Sequence, residues 1–213
     1  MEHPSKLLIV LTGKTASGKD TVMAKLLSRF PEFKRIVTTA SRKKRHGEKD
    51  GVDYNFISEQ DFKLKIDRQE FIEYVEYGGN LYGTEKIQII KNLDHNLIWR
   101  IDPSRAGKIR EFIKSAFDQK MSQDLLKRIL VIYLTVDDAV VLERLKKRGL
   151  SSAEIEKRMQ EDAKFWQEFK DNYDCVIENV SGKLGETVNQ VCSLISKRLK
   201  PGKPWDYFPL QVK

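Results

Sequence analysis

Apolar residues recur along this chain in two rhythms. Short, nearly unbroken runs stand at residues 7–11, 35–38, 96–101, 129–134 and 175–177, the length and texture of strands buried on both faces. Elsewhere apolar positions return every three or four residues, over about 21–30, 59–65, 85–92, 104–117, 137–148, 152–170 and 184–199, the period of amphipathic helices. Parallel strands need crossover connections, and helices between strands supply them. The expected fold is therefore a three-layer α/β/α domain around a five-stranded parallel sheet. Residues 38–92 break the rhythm, with short β-like pieces at 53–57 and 71–77, several glycines and the helix-like 59–65. That texture reads as a small α+β insertion. Ligands of open parallel sheets sit beyond the carboxyl ends of the strands, where this insertion would emerge.

The first apolar run leads directly into Gly13-Lys14-Thr15-Ala16-Ser17-Gly18-Lys19-Asp20-Thr21, and a helical period follows. Strand, glycine-containing loop and helix start are the setting of a phosphate-binding loop. Gly13 and Gly18 let the backbone turn around a polyphosphate, amide N–H groups donate to its oxygens, and Lys19 supplies a point charge between the β- and γ-phosphates. A purine triphosphate is the expected ligand. The competing reading, an ordinary glycine-containing turn, is weakened by the strand before and the helix after.

At 213 residues, with 40% hydrophobic and 33% charged residues, the chain suits one α/β domain with a sizeable core and excludes a disordered chain. No apolar stretch approaches the length of a bilayer span, and the first run is too short for a signal-peptide core, so a cytoplasmic location and no membrane partner are expected. Cys175 and Cys192 lack metal-ligand spacing and read as reduced thiols. The net charge of +8 fits an enzyme that gathers two phosphorylated substrates as well as it fits nucleic-acid binding. Its densest cluster, Arg42-Lys43-Lys44-Arg45, has little aromatic interleaving, so nucleic acid is not the expected partner. The tail at 201–209, rich in proline and aromatic residues, is expected to pack on its own domain or to serve a dimer contact.

Three motifs in register carry a resemblance. The phosphate loop, Arg42-x-x-Arg45-x-Gly47-Glu48-x-x-Gly51-x-Asp53-Tyr54-x-Phe56, and Gly79-Asn80-Leu81-Tyr82-Gly83-Thr84 together closely resemble guanylate kinases. Asp102 after a strand, Arg148-Gly149 with Arg158 beyond, and Tyr173-Asp174-x-Val176-Ile177-x-Asn179 extend the resemblance over about residues 7–199. It implies transfer of the ATP γ-phosphoryl group to GMP or dGMP, with Mg2+, in a monomer or homodimer. Thr38, Arg42, Arg45, Tyr54, Tyr82 and Gly83 fall at positions that hold GMP, while Glu73, Thr84 and Asp102 fall where guanine is read. Lys19, Arg42, Arg148 and Arg158 are the implied catalytic cations. The implied organisation is a core in three parts (1–37, 93–147 and 173–213), the GMP-binding insertion at 38–92 and a helical lid at 148–172 that closes over ATP.

Three positions depart from the pattern in a way that bears on the chemistry, one of them Val180, which follows Asn179 where an Asp is common. Asp20 stands where a small or hydroxyl residue usually reaches magnesium, which makes it the candidate metal ligand, and Arg100 replaces the first acid of an Asp-x-Asp pair. The alternatives are another nucleoside monophosphate kinase, since Gly-Lys-Asp-Thr also resembles some deoxynucleoside monophosphate kinase loops, and a binding module for phosphorylated protein segments. Glu73 speaks against the first and Lys19 against the second.

Overall fold

The computed structural model describes residues 6–199 and the short strand 210–211; the tail segment 201–209 lies outside the described residues. In chain order the elements are β1 (Leu8–Gly13), α1 (Lys19–Arg29), β2 (Phe33–Ile36), β3 (Thr39–Ala40), β4 (Asn55–Phe56), α2 (Glu59–Asp67), β5 (Phe71–Tyr77), β6 (Asn80–Glu85), α3 (Lys86–Ile90) and β7 (Asn96–Arg100). There follow α4 (Pro103–Gly107), α5 (Ile109–Ala116), α6 (Gln119–Arg128), β8 (Ile129–Thr135), α7 (Asp138–Lys147), α8 (Ser152–Phe169), β9 (Cys175–Glu178), α9 (Leu184–Leu199) and β10 (Leu210–Gln211).

The five expected strands form one parallel sheet, to which β10 adds a short edge beside β9, giving the order β10-β9-β8-β1-β7-β2. β1 lies at its centre, with Leu8 opposite both Leu97 and Ile129. The unbroken apolar runs follow from that position, because successive side chains feed different cores. Leu8, Val10, Trp99, Val131 and Tyr133 pack with Ile109, Ile113, Leu125 and Phe169 on one face. Ile9, Leu11, Ile98 and Ile132 pack with Val22, Leu26, Val191 and Ile195 of α1 and α9 on the other. A smaller cluster under α7 and α8 joins Ala16 of the loop to Val141, Leu145 and Ile155.

The insertion carries its own sheet, in the order β4-β3-β6-β5, antiparallel except where β3 meets β4. Three expectations are corrected. The helix expected over 104–117 is two helices, because Gly107 lies against Phe169, where a Cβ would come within 2.3 Å of the ring, and Lys108 leaves helical geometry. The helix α6 is not anticipated by the periodicity: its stripe of Met121, Leu125 and Leu126 is thin, and the Asp118 cap on Met121 N is its clearest local signal. The residues expected to begin a helix at 85 end a strand instead, and α3 spans only Lys86–Ile90.

Gly13 is where this fold becomes a site. Its φ is +145°, and a Cβ there would lie 2.1 Å from Leu134 O and 2.6 Å from Leu134 N, backbone atoms of β8 that have no side-chain freedom to yield. Gly13→Ala is expected to cost about 3 kcal/mol, read as a lower urea midpoint at constant slope. An unchanged midpoint would show that the β1–β8 approach is not required.

Candidate active site

The chain leaves β1 at Gly13, takes positive φ at Ala16 (57°) and Gly18 (86°), and enters α1 at Lys19. No side chain caps the N-terminus of α1, so its first amides are left for an anion. Side chains from distant elements hold the loop open. Lys19 Nζ donates to the Gly13 and Lys14 carbonyls at 2.7 Å each. Arg144 of α7 donates to Ala16 O at 2.7 Å, and Asn179 Nδ2 to Ser17 O at 2.8 Å, with Thr187 Oγ1 donating to Asn179 Oδ1. Lys14 pairs with Asp138. Asp162 of α8, buried, accepts the Thr15 N–H at 2.7 Å. Burial lowers the Lys19 ammonium to about 8, with Asp162 pulling it back up. Burial likewise raises Asp162 above the usual carboxylate range. Asp162 carries no motif signal in the sequence; only its position one helical turn after Arg158 hints at a shared face.

Of the residues expected around the acceptor phosphate, Arg42, Tyr54 and Tyr82 come together. The Arg42 guanidinium lies 5.0 Å from the Tyr54 ring centre and 5.2 Å from that of Phe56, and the Tyr54 and Tyr82 rings are 6.0 Å apart, edge to face. Its fork is bidentate to Glu48, both bonds at 2.6 Å, and that hydrogen bonding holds Glu48 down at about 2. Arg45 has an exposed side chain and donates its backbone N–H to Glu48. Thr38 is half-buried, with its carbonyl accepting from Asn55 N.

Glu73 and Thr84 face each other across β5 and β6, beside a bulge between Phe71 and Glu73. Glu73 is 5% exposed, which excludes an outward-facing strand residue. Trp99 Nε1 donates to Thr84 Oγ1 at 2.9 Å, and Thr84 Oγ1 donates to Glu73 Oε1 at 2.7 Å, so a buried relay from the core sheet aims the carboxylate. Burial pushes Glu73 up to about 7, against the pull of the Thr84 hydrogen bond. Gly83 lets the two strands close, since a Cβ there would meet Glu73 O at 2.9 Å. Asp102, exposed, caps α4 by accepting from Ser104 N and Oγ. Arg158 of α8 lies over the ring of Tyr77, 5.4 Å from its centre, and Arg148 is exposed at the end of α7.

Two of the departures from the family pattern, Asp20 and Arg100, meet in space. Arg100 Nε lies 2.9 Å from Asp20 Oδ1, and Arg100 Nη2 donates to Tyr54 Oη at 2.7 Å. Among the described residues, no group of three or more His, Cys, Asp or Glu side chains is placed to hold a metal ion, and no helix is long and apolar enough to cross a membrane.

The guanylate kinase family model matches residues 5–198. A guanylate kinase of Maricaulis maris is 32% identical over 207 residues, covering 93% of this chain and 87% of its own. One from Helicobacter pylori is 32% identical over 200 residues, covering 93% and 92%, and one from Synechococcus elongatus is 36% identical over 143 residues, covering 65% and 78%. The crystal structure of guanylate kinase from Anaplasma phagocytophilum has the same fold, with a TM-score of 0.65 at 24% identity over 94% of this chain and 90% of that one. With a match from end to end of the described core, and with relatives above 30% identity spanning nearly its whole length, this chain belongs to the guanylate kinase family.

Proposed function

We propose that the protein transfers the γ-phosphoryl group of ATP to GMP, giving ADP and GDP. The observation that carries this reading is Glu73, a buried carboxylate aimed by Thr84 and Trp99. An ionised carboxylate accepts from both the N1–H and the exocyclic amine of guanine, whereas adenine presents an acceptor at N1 and no amine beside it. Family membership and the uncapped loop at α1 support ATP as the donor.

In this reading the Gly13–Thr21 loop binds the donor phosphates through its amides and Lys19, while Arg42, Tyr54 and Tyr82 bind the acceptor phosphate, with Arg45 and Thr38 reaching it as the insertion closes. The fork that Arg42 now gives to Glu48 is the geometry a phosphate dianion takes. The acceptor oxygen is already anionic, so no side-chain base is required, and the work is alignment and neutralisation of charge. Arg148 and Arg158 add cations from the segment 148–172, which acts as the lid and excludes water. Asp162 must leave the Thr15 amide before a phosphate takes it.

Magnesium fits the donor set. It keeps several waters and needs only one or two carboxylates beside the nucleotide's phosphates, and Asp20, 75% exposed at the mouth of the loop, offers such a carboxylate. When bound, the ion neutralises charge on the β- and γ-phosphates.

Glu73→Gln tests the reading directly. It is expected to lower kcat/KM for GMP by about 1000-fold or more while leaving the KM for ATP near wild type, in an assay of ADP release with each nucleoside monophosphate in turn. Equal losses toward both substrates would overturn it.

Protonation of Glu73 sets a pH dependence with a definite sign. The folded protein holds this proton more tightly than the unfolded chain, so the associated stability is full below the unfolded carboxyl pKa near 4 and is lost as pH rises through about 7. GMP needs the ionised form, so kcat/KM for GMP is expected to climb with pH and level off above about 7. Denaturant midpoints and initial rates across that range should show both slopes in the wild type and neither in Glu73→Gln.

A further inference from the structure

Arg100 and Asp20 each depart from the family pattern, and the structure joins them. β7 ends at Arg100, whose register partner Leu11 lies two residues before Gly13, so the side chain emerges beside the phosphate loop. Asp20 is the second residue of α1, adjacent to Lys19. The Arg100 guanidinium reaches Asp20 with Nε at 2.9 Å and, from Nη2, the hydroxyl of Tyr54 at 2.7 Å. It is 5.8 Å from the Tyr54 ring centre, and the same ring carries Arg42. One planar cation therefore spans from the donor loop to the acceptor cluster. Nε is buried and pairs with Asp20 by charge, without a hydrogen bond, while Nη2 donates to Tyr54, and the side chain as a whole is 22% exposed.

We propose that Arg100 is a catalytic residue of phosphoryl transfer in this protein, binding the phosphoryl group in flight through its guanidinium, and that Asp20 is the positioning residue that aims it. The proposal rests on the kinase reading above. In the transfer, the bond from the γ-phosphorus to the β–γ bridging oxygen breaks and its electron pair leaves with ADP, while a bond forms from an anionic oxygen of the GMP phosphate. No proton moves, and the guanidinium stays charged throughout. A planar fork that is always charged and already held on two sides suits such a transition state, because little conformational freedom remains to be lost.

Asp20 answers a charge problem as well. Lys19, Arg35, Arg42 and Arg100 crowd this end of the sheet, and the field of Arg100 depresses both the Lys19 ammonium and the Arg35 guanidinium, in each case after burial. In a family pattern with an acid at position 100, no such partner is needed. Here the carboxylate stands across the gap, at residue 20.

Arg100→Met and Arg100→Gln are tested alongside the wild type for kcat and for GMP and ATP-analogue dissociation constants by calorimetry. Both variants are expected to lose about 100-fold in kcat with both dissociation constants close to wild type, and added guanidinium, unlike ammonium, is expected to restore part of the rate. At saturating magnesium, where a weakened metal contact does not limit the rate, Asp20→Ala should lower kcat by less and add little on top of Arg100→Met, the non-additivity of residues that act as one unit. Wild-type kcat in either variant, or a loss confined to GMP affinity, would overturn the proposal. If Arg100→Met does not fold, Arg100→Gln, which keeps a donor for Tyr54, decides by the same readings. A wild-type protein that releases no ADP with GMP defeats the kinase reading itself, before any variant is compared.

Discussion

At Gly13 the backbone of β1 passes so close to Leu134 of β8 that no side chain fits between them, and the rest of the site is built out from that contact. Lys14 N donates to Leu134 O at 2.9 Å, which ties the first residue of the loop to the neighbouring strand. The turn that follows needs positive φ at Ala16 and Gly18, and it survives because Arg144 and Asn179 satisfy the two carbonyls it turns outward. Lys19 folds back onto two more. The carbonyls of Gly13, Lys14, Ala16 and Ser17 thus accept from side chains, which holds the loop in the open curve that suits an anion.

One loop amide, Thr15 N–H, is held by a carboxylate of α8. In the proposed function an acidic side chain here stands in for a phosphate oxygen: it has the same charge sign and accepts the same bond. It also moderates the positive charge gathered around Lys19, as Asp20 does for Arg100 and Glu48 for Arg42. The cationic site is therefore laced with carboxylates that each hold a cation in place, and a negatively charged ligand exchanges one anionic partner for another. Preorganisation of this kind limits the reorganisation required when charge develops on a transferring group.

Glu73 belongs to a different logic. Its carboxylate is buried, and its ordinary tendency to ionise is opposed by the loss of water. Thr84 and Trp99 compensate only in part, which leaves a group that changes charge near neutrality. The relay from Trp99 links the central sheet to the insertion, so the geometry of the residue proposed to read the base depends on core packing that is remote in sequence.

Much of this architecture is legible in the amino-acid chain alone. Unbroken apolar runs spaced by helical periods specify a parallel sheet because burial on both faces leaves little room for polar positions in a central strand, and the glycine spacing of the loop reflects a backbone conformation that few other residues adopt. Motif order singles out Arg42, Tyr54, Glu73, Tyr82 and Thr84, since local chemistry and spacing are written in the chain itself. What a sequence does not express is contact between residues far apart along it. The break at Gly107 depends on the ring of Phe169, the anchoring of the loop depends on Arg144 and Asp162, and Asp20 and Arg100 read separately as two anomalies. They are one ion pair only because parallel β1 and β7 bring their carboxyl ends together, and the pairing of strands so distant in the chain is decided by the packing of the whole sheet.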